Sequence, residues 1–503
     1  MSAPLDDKTR AVLPRWRDLG TTLSSGELDF VRETRVERRP DIDFLSQKIR
    51  DWEAKRTVPF AADAVGAAFV LGRGSEATDA AEFLLSRSSD IPQATLDIAA
   101  RVLIGPKGAA ENSEPEETDV QAIRGRIHSL RKRLHDEPAN AFLWVELARR
   151  YASLGFNEQG GRAIQIALYL APNNRFVLRA AARFFHNGGD ARRAHDALKA
   201  SEVTRRDPWL LAAELAVAPL AGRTSSFVKG ARSLLAGGGH SAFQLTELAS
   251  SLATLELESS NTRVARRLFR QSVEDPNDNS VAQARWASQF GVIEVDERLL
   301  ETPRSYEARS WHAYQVGQWQ TALSEAWLWL KDQPFSSSPA IHGSYTASVF
   351  LQDHQEATRI ALAGLRANRR DPKLLNNLVF SLANEGRLDS ADEFFDAIDP
   401  STLDDQGQVV HLATSGLLRY RRGDIAAGRG FYLAALEKAA ALSLPALRAM
   451  AALFFAGEEA RARSPQATEI IRLALDLGRN RTEPDVRVLT DRLKLNDGLH
   501  GGS

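Results

Sequence analysis

The sequence predicts an all-α protein built from repeated helix pairs, and three observations carry that prediction. Apolar residues recur at helical spacing and then stop at glycine, as in "AFLWVELARRYASLG" and "KLLNNLVFSLANEG". Alternating Val, Ile and Thr runs bounded by Asn-Gly turns, the mark of hairpins, are missing. Beyond residue 140, similar segments return at a pitch of 34 residues. At 503 residues the chain exceeds one ordinary core, whereas an array has a core that grows lengthwise.

Taken in order, the first stretch, "MSAPLDDKTRAVLPRWRDLG", is charged throughout and has no apolar h-region. No uninterrupted apolar run approaches the ~18 residues that span a bilayer, so no membrane association is expected. The segments "DFLSQKIRDWEAKR", "VPFAADAVGAAFVLG", "EATDAAEFLLSRS" and "IPQATLDIAARVLIG" predict four short helices in an N-terminal helical region, residues 1–104. Residues 105–119, "GPKGAAENSEPEETD", have no apolar period, two prolines and five acidic residues, and are read as an acidic linker.

Self-similarity begins after that break. Counting a unit from Ala141 puts Trp144, Leu147, Ala148 and Tyr151 at positions 4, 7, 8 and 11, Ala167 at 27 and Pro172 at 32. Positions 4, 7, 8 and 11 form one stripe of a first helix, and a small residue at 8 lets the second helix approach. Gly155 supplies the turn. From Arg175 the same positions hold Leu178, Ala182 and Phe185, followed by Gly189, Ala194 and Leu198. Units counted from Pro303 and Pro372 keep Gly317 and Gly386 at 15, and Ala322 and Ala391 at 20. Degenerate units are expected at 209–240, 245–278, 338–371 and 409–440.

This pattern resembles the tetratricopeptide repeat superfamily over roughly residues 120–480. The resemblance implies a TPR-like α-solenoid of stacked helix pairs, with the first helices lining a concave groove that binds a partner. Three parts are expected: an array over 120–302, a second stretch over 303–480, and a C-terminal cap and tail over 481–503. The pattern departs at Gly160 and Ile164, which replace the usual alanine and aromatic, and the spacing breaks around 279–303.

Chemistry has little support in the sequence. With no cysteine, thiolate catalysis, disulfides and cysteine-ligated zinc are excluded, and a cytoplasmic chain is the expectation. Gly72, Gly74 and Ala77 give a G-x-G-x-x-A spacing, but no strand precedes them, so a helix-to-helix turn is the reading. His128 and His135 flank an RKR run that would repel a cation. No catalytic residue, metal site or cofactor is expected, and the chain is read as a non-enzyme.

Charge says more. The 64 basic and 65 acidic residues nearly cancel, yet residues 120–210 hold 16 Lys and Arg against 8 Asp and Glu. The repeat register puts Arg149, Arg179, Arg183 and His186 on the groove side of the first two units. Such a groove suits an acidic protein or peptide, or a phosphate backbone, so RNA binding by the basic face of 120–210 is the alternative function.

Two further groups complete the expected partner site. Lys373, Asn376 and Asn377 partly match the carboxylate clamps of some tetratricopeptide proteins. His342, Thr346 and Thr414 stand where flanking clamp residues belong, which argues against a full clamp. The stretch "WHAYQVGQWQTALSEAWLWL" holds four of the nine tryptophans. Counted from Pro303, Trp311 and Tyr314 take groove positions 9 and 12 and form an expected aromatic anchor, while Trp329 at 27 faces the partner helix. The expected function is a scaffold or regulatory adaptor, controlling an effector enzyme through a bound partner.

Overall fold

The computed structural model describes residues 10–17, 42–70, 73–87, 91–92, 95–96, 98–100, 102–103 and 120–500; its regular elements are helices, with no strand among the described residues. The chain divides into two compact units, Met1–Thr22 with Val120–Ser503, and Leu23–Asp119. The linker expected at 105–119, and Gly72, lie outside the described residues. Among the described residues no helix is long and apolar enough to cross a membrane.

In the smaller unit α1 (Ile42–Ala54), α2 (Val58–Val70) and α3 (Thr78–Leu85) pack in sequence. Their core holds Leu45, Trp52, Ala64, Val65, Ala68 and Leu84, and the alanines let α2 lie close to both neighbours. Gly74 opens a single 3-10 turn, Gly74–Glu76, between α2 and α3, so this glycine lies in a connection between two helices.

The larger unit starts with α4 (Val120–Asp136) and continues in antiparallel pairs. These are α5 and α6 (Ala141–Ser153, Asn157–Leu170), α7 and α8 (Arg175–Asn187, Ala191–Ala200), and α9 and α10 (Pro208–Leu220, Val228–Ala236). Next come α11 and α12 (Ala242–Glu258, Thr262–Ser272), α13 and α14 (Asp278–Ser288, Glu297–Leu300), and α15 and α16 (Tyr306–Gln315, Trp319–Asp332). Then follow α17 and α18 (Ser338–Tyr345, His354–Leu365), α19 and α20 (Pro372–Asn384, Leu388–Asp396), α21 and α22 (Asp405–Arg421, Ile425–Ala441), and α23 and α24 (Pro445–Arg461, Ala467–Gly478). The helix α25 (Pro484–His500) packs on α23 and α24.

The repeat is written into the turns. Gly155, Gly189, Gly317, Gly386 and Gly423 all have φ between 71° and 85°, a conformation that costs a Cβ-bearing residue about 1–2 kcal/mol. Asn140, Asn174, Asp207 and Asp371 each accept two backbone N–H groups at the start of α5, α7, α9 and α19, stopping the preceding connection and opening the next pair. Ala148, Ala182, Ala194, Ala322 and Ala391 are fully buried where helices cross.

The departures have local causes. A Cβ at Gly160 would sit 2.8 Å from the ring of Phe184, so the glycine makes room for an aromatic from the next pair. The spacing break around 279–303 is a second helix cut to the four residues of α14. After Tyr345 the α17 helix widens into a buried π-turn, Thr346–Leu351, ended by Gln352 at φ 56°. Arg492 of α25 donates to the carbonyls of Val349 and Phe350, and Tyr345 donates to Asp485 at 2.7 Å, so the last helix holds this turn. The array also touches itself across its superhelical turn. A Cβ at Gly155 would lie 2.8 Å from the carbonyl oxygen of Arg366, six pairs further along.

Candidate peptide-binding channel

Residues 10–17 run without regular secondary structure, with the Leu13 N–H donating to the Ala11 carbonyl at 2.9 Å, against α5, α7, α13, α15 and the α16–α17 connection. The side chain of Gln283 donates to the Arg10 carbonyl at 3.0 Å, Asn279 to that of Leu13 at 3.0 Å, and Arg149 to that of Trp16 at 3.2 Å. A carbonyl is thus held at every third residue. Val12, Pro14 and Trp16 alternate inward and are buried, and the Trp16 ring packs against Phe335 and Phe184. Polar side chains satisfy backbone that a loop would otherwise leave buried and unpaired.

The arginines between those buried side chains meet acids from the array. Arg15 pairs with Glu307 at 2.5 Å and Asp278 at 3.0 Å, while Arg17 pairs with Asp278 at 2.6 Å and Asp332 at 3.1 Å. Arg10 pairs with Glu307 as well and donates to Gln283 at 3.1 Å. Burial alone would raise the Glu307 carboxyl, but the facing guanidiniums of Arg10 and Arg15 outweigh it and hold the group down at about 2. The ion pairs are therefore formed at neutral pH.

The predicted partner residues are distributed differently from a free basic groove. Arg149 is buried and divides its donors between the carbonyls of Trp16 and Asp332. Arg179 makes two bonds to the buried carboxylate of Glu247, at 2.8 and 3.1 Å, and lies over the Trp209 ring. Arg183 is buried over Phe335. His186 is half-buried, and desolvation with the nearby charge of Arg183 lowers it to about 4, so it adds no charge at neutral pH.

The aromatic and amide groups do not all face the groove as expected. Trp311 is half-buried beside a cavity, but Tyr314 is buried behind it, packed edge-on to Trp319 and Phe350. Bulk at its two neighbours draws the ring inward. Trp329 is 5% exposed, as its facing of a partner helix requires. Asn377 is fully buried and donates to the Ile341 carbonyl and Ser344, and Asn376 is buried and accepts from Thr414 at 2.8 Å. Both amides tie neighbouring first helices together instead of lining the groove. Lys373 stays partly exposed, 3.7 Å from Asp404.

The small residues at the helix crossings, the left-handed glycine at position 15 and the 34-residue pitch now stand together in one stack of pairs. The array has the tetratricopeptide fold. No protein-family model matches the sequence, and no curated protein matches it. Among solved structures it is similar to yeast Tom70 at 10% identity, covering 88% of this chain and 97% of that one, with a TM-score of 0.31. It is similar to the APC/C hetero-tetramer Cut9-Hcn1 at 12% identity, covering 90% and 92%, with a TM-score of 0.33. The P58(IPK) TPR domain matches at 12% identity over 72% of this chain and 98% of that one, with a TM-score of 0.24. At these scores the fold rests on the repeat geometry itself.

Sequence reasoning missed the channel's occupant and its acidic contacts. Glu307 stands at position 5 counted from Pro303, a groove position, and so was open to the same reading as Arg149 and Arg179. Trp16 was the signal for the occupant. A tryptophan two residues after a proline, in a charged stretch with no helical period, has no local core to enter, so its burial must come from elsewhere in the chain.

Proposed function

We propose that this tetratricopeptide array is a protein-interaction scaffold whose channel takes an extended peptide carrying arginines and an aromatic residue, and that residues 10–17 occupy the channel in cis. The observation that supports this reading is the set of three carbonyl contacts, at Arg10, Leu13 and Trp16, made by side chains of the array. Contacts to backbone carbonyls accept any extended chain, while Asp278, Glu307 and Asp332 add a preference for cations between the buried positions. Residues 120–302 and 303–480 would act as two sides of one channel, with 481–503 as the cap and tail of the array. Trp311 and Lys373 remain the candidates for partner contact beyond the segment. Because Arg149 and Arg179 already serve the chain itself, an acidic partner would compete with internal contacts. A basic-aromatic peptide would replace the segment like for like. The role is that of a non-catalytic adaptor, its channel opened when a partner of this chemistry displaces the segment and thereby engages an effector.

The test uses the full chain. A labelled peptide RAVLPRWR should bind an Arg15→Ala/Trp16→Ala variant at least about tenfold more tightly than the wild type, whose channel is filled. Equal weak binding to both would remove this reading.

Nucleic-acid binding is a second reading, favoured by the solvent face of α4. There Arg124, Arg126, Arg131 and Lys132 are all exposed. Electrophoretic shifts with RNA that weaken steeply with salt and vanish when these four are changed to glutamine would support it.

A further inference from the structure

Beside the segment lies a cavity of about 460 Å³, large enough for a small organic molecule. One wall is the segment itself, through Arg10, Leu13 and Arg15, and the other belongs to the array. Three tryptophans, Trp286, Trp311 and Trp329, together with Phe335 make much of the array wall apolar.

Two buried guanidiniums interrupt that apolar wall. Arg183 is 7% exposed, its Nε has no acceptor, and its one described contact is the Phe335 ring at 5.7 Å. Arg285 is 4% exposed, bonds Ser288 at 2.7 Å within its own helix, and also has an Nε without an acceptor. The Asn187 amide nitrogen, a third donor lining the same space, has no acceptor either. Burial lowers both arginines to about 10, with the charges of Arg15 and Arg10 adding to the effect at Arg183 and that of Glu307 opposing it, yet both remain charged at neutral pH.

The acids of the wall make no hydrogen bond to these donors. Glu307 is bound to Arg10 and Arg15, and Asp371 accepts the backbone N–H groups of Lys373 and Leu374 as a helix cap. The lining therefore holds four guanidiniums, Arg10, Arg15, Arg183 and Arg285, against two carboxylates already engaged. Buried cations left without an anion are costly, and guanidiniums match carboxylate and phosphate oxygens closely.

We propose that this cavity is a binding site for a small aromatic anion, whose carboxylate or phosphate group is held by Arg183 and Arg285 and whose ring lies among the three tryptophans. Binding of the anion does not depend on the peptide-channel reading; its effect on partner binding rests on that reading. Because residues of the segment form one wall, a bound anion also holds the segment in place, which gives the scaffold an effector that opposes partner binding.

Calorimetric titration of the full chain with phenyl phosphate, phenylacetate, inorganic phosphate and benzyl alcohol tests the proposal. At least one of the two aromatic anions should bind with Kd below about 1 mM, and which one does so identifies the head group. Benzyl alcohol, which keeps the ring without the charge, should bind at least tenfold more weakly, and inorganic phosphate should also be weaker than the better aromatic anion. Arg183→Gln and Arg285→Gln should each weaken that anion at least tenfold, with circular dichroism reporting that the variant is folded. Absence of binding by both aromatic anions, equal binding of benzyl alcohol, or unchanged affinity in both folded variants would overturn the site. If neither variant folds, the comparison of the aromatic anions with benzyl alcohol on the wild type decides the matter alone.

Discussion

Trp329 illustrates how position in the repeat sets the fate of a side chain. Position 27 normally holds a small residue, and here it holds an indole of which 5% is exposed and which lines the cavity beside the segment. Trp329→Ala removes that bulk from a packed site and should cost about 3–5 kcal/mol, read as a lower melting temperature and urea midpoint. Loss of less than about 1 kcal/mol would mean that the indole is not tightly packed against its neighbouring helices. Asn377 makes the complementary point. A polar side chain at a predicted groove position turned inward because two acceptors, the Ile341 carbonyl and Ser344, wait in the neighbouring pair. Such a partner, distant in sequence, leaves no mark in the periodicity around Asn377.

Between elements, the contact of the segment with α13 and α15 is electrostatic and titratable. The Glu307 carboxyl is lowered from 4.5 to about 2 on folding, so its contribution to stability is fully present above about 4.5 and is lost as pH falls through about 2. Glu307→Gln should therefore melt below the wild type at neutral pH, and the gap should close as pH is lowered from about 4.5 towards 2. A gap that stays constant over that range would mean that Arg10 and Arg15 do not hold the carboxylate. The turn glycines and the helix pairs were legible in the sequence, because a left-handed turn and an alanine crossing leave a residue-type signature at fixed spacing. The contact of the segment was not, since a stretch of eight described residues without regular secondary structure has neither a helical period nor a partner nearby in the chain.

Over the full array, the contact of the α5–α6 turn with the α18–α19 connection joins pairs that are far apart in sequence. Two glycines separate this effect from ordinary turn strain. Gly155 and Gly189 have φ of 71° and 79°, but only Gly155 has a neighbour, the Arg366 carbonyl, in the way of a Cβ. Both Gly→Ala changes should cost about 1–2 kcal/mol for the left-handed backbone, and Gly155→Ala should cost more than Gly189→Ala by at least about 1 kcal/mol. Denaturant unfolding of the two variants measures the difference, and equal losses would argue that the turns of the superhelix do not bear on one another. Arrays that contact only nearest neighbours unfold as a sum of local terms, so this contact adds cooperativity along the stack.

The sequence by itself determined the fold class, the pitch of the pairs and the places where the chain turns, because these depend on residues within one or two helices of each other. It also located Arg149, Arg179, Arg183 and Trp311 at positions where a groove would be. Tertiary structure decided what those positions do. The superhelix brings Glu307 and Asp332 to the same channel as Arg149 and Asp278, and the first residues of the chain enter it. Arg149 then serves a backbone carbonyl, Arg179 a buried carboxylate, and Arg183 and Arg285 share one cavity. Charge complementarity across hundreds of residues depends on the curvature of the whole stack, and helical periodicity encodes each pair without encoding that curvature.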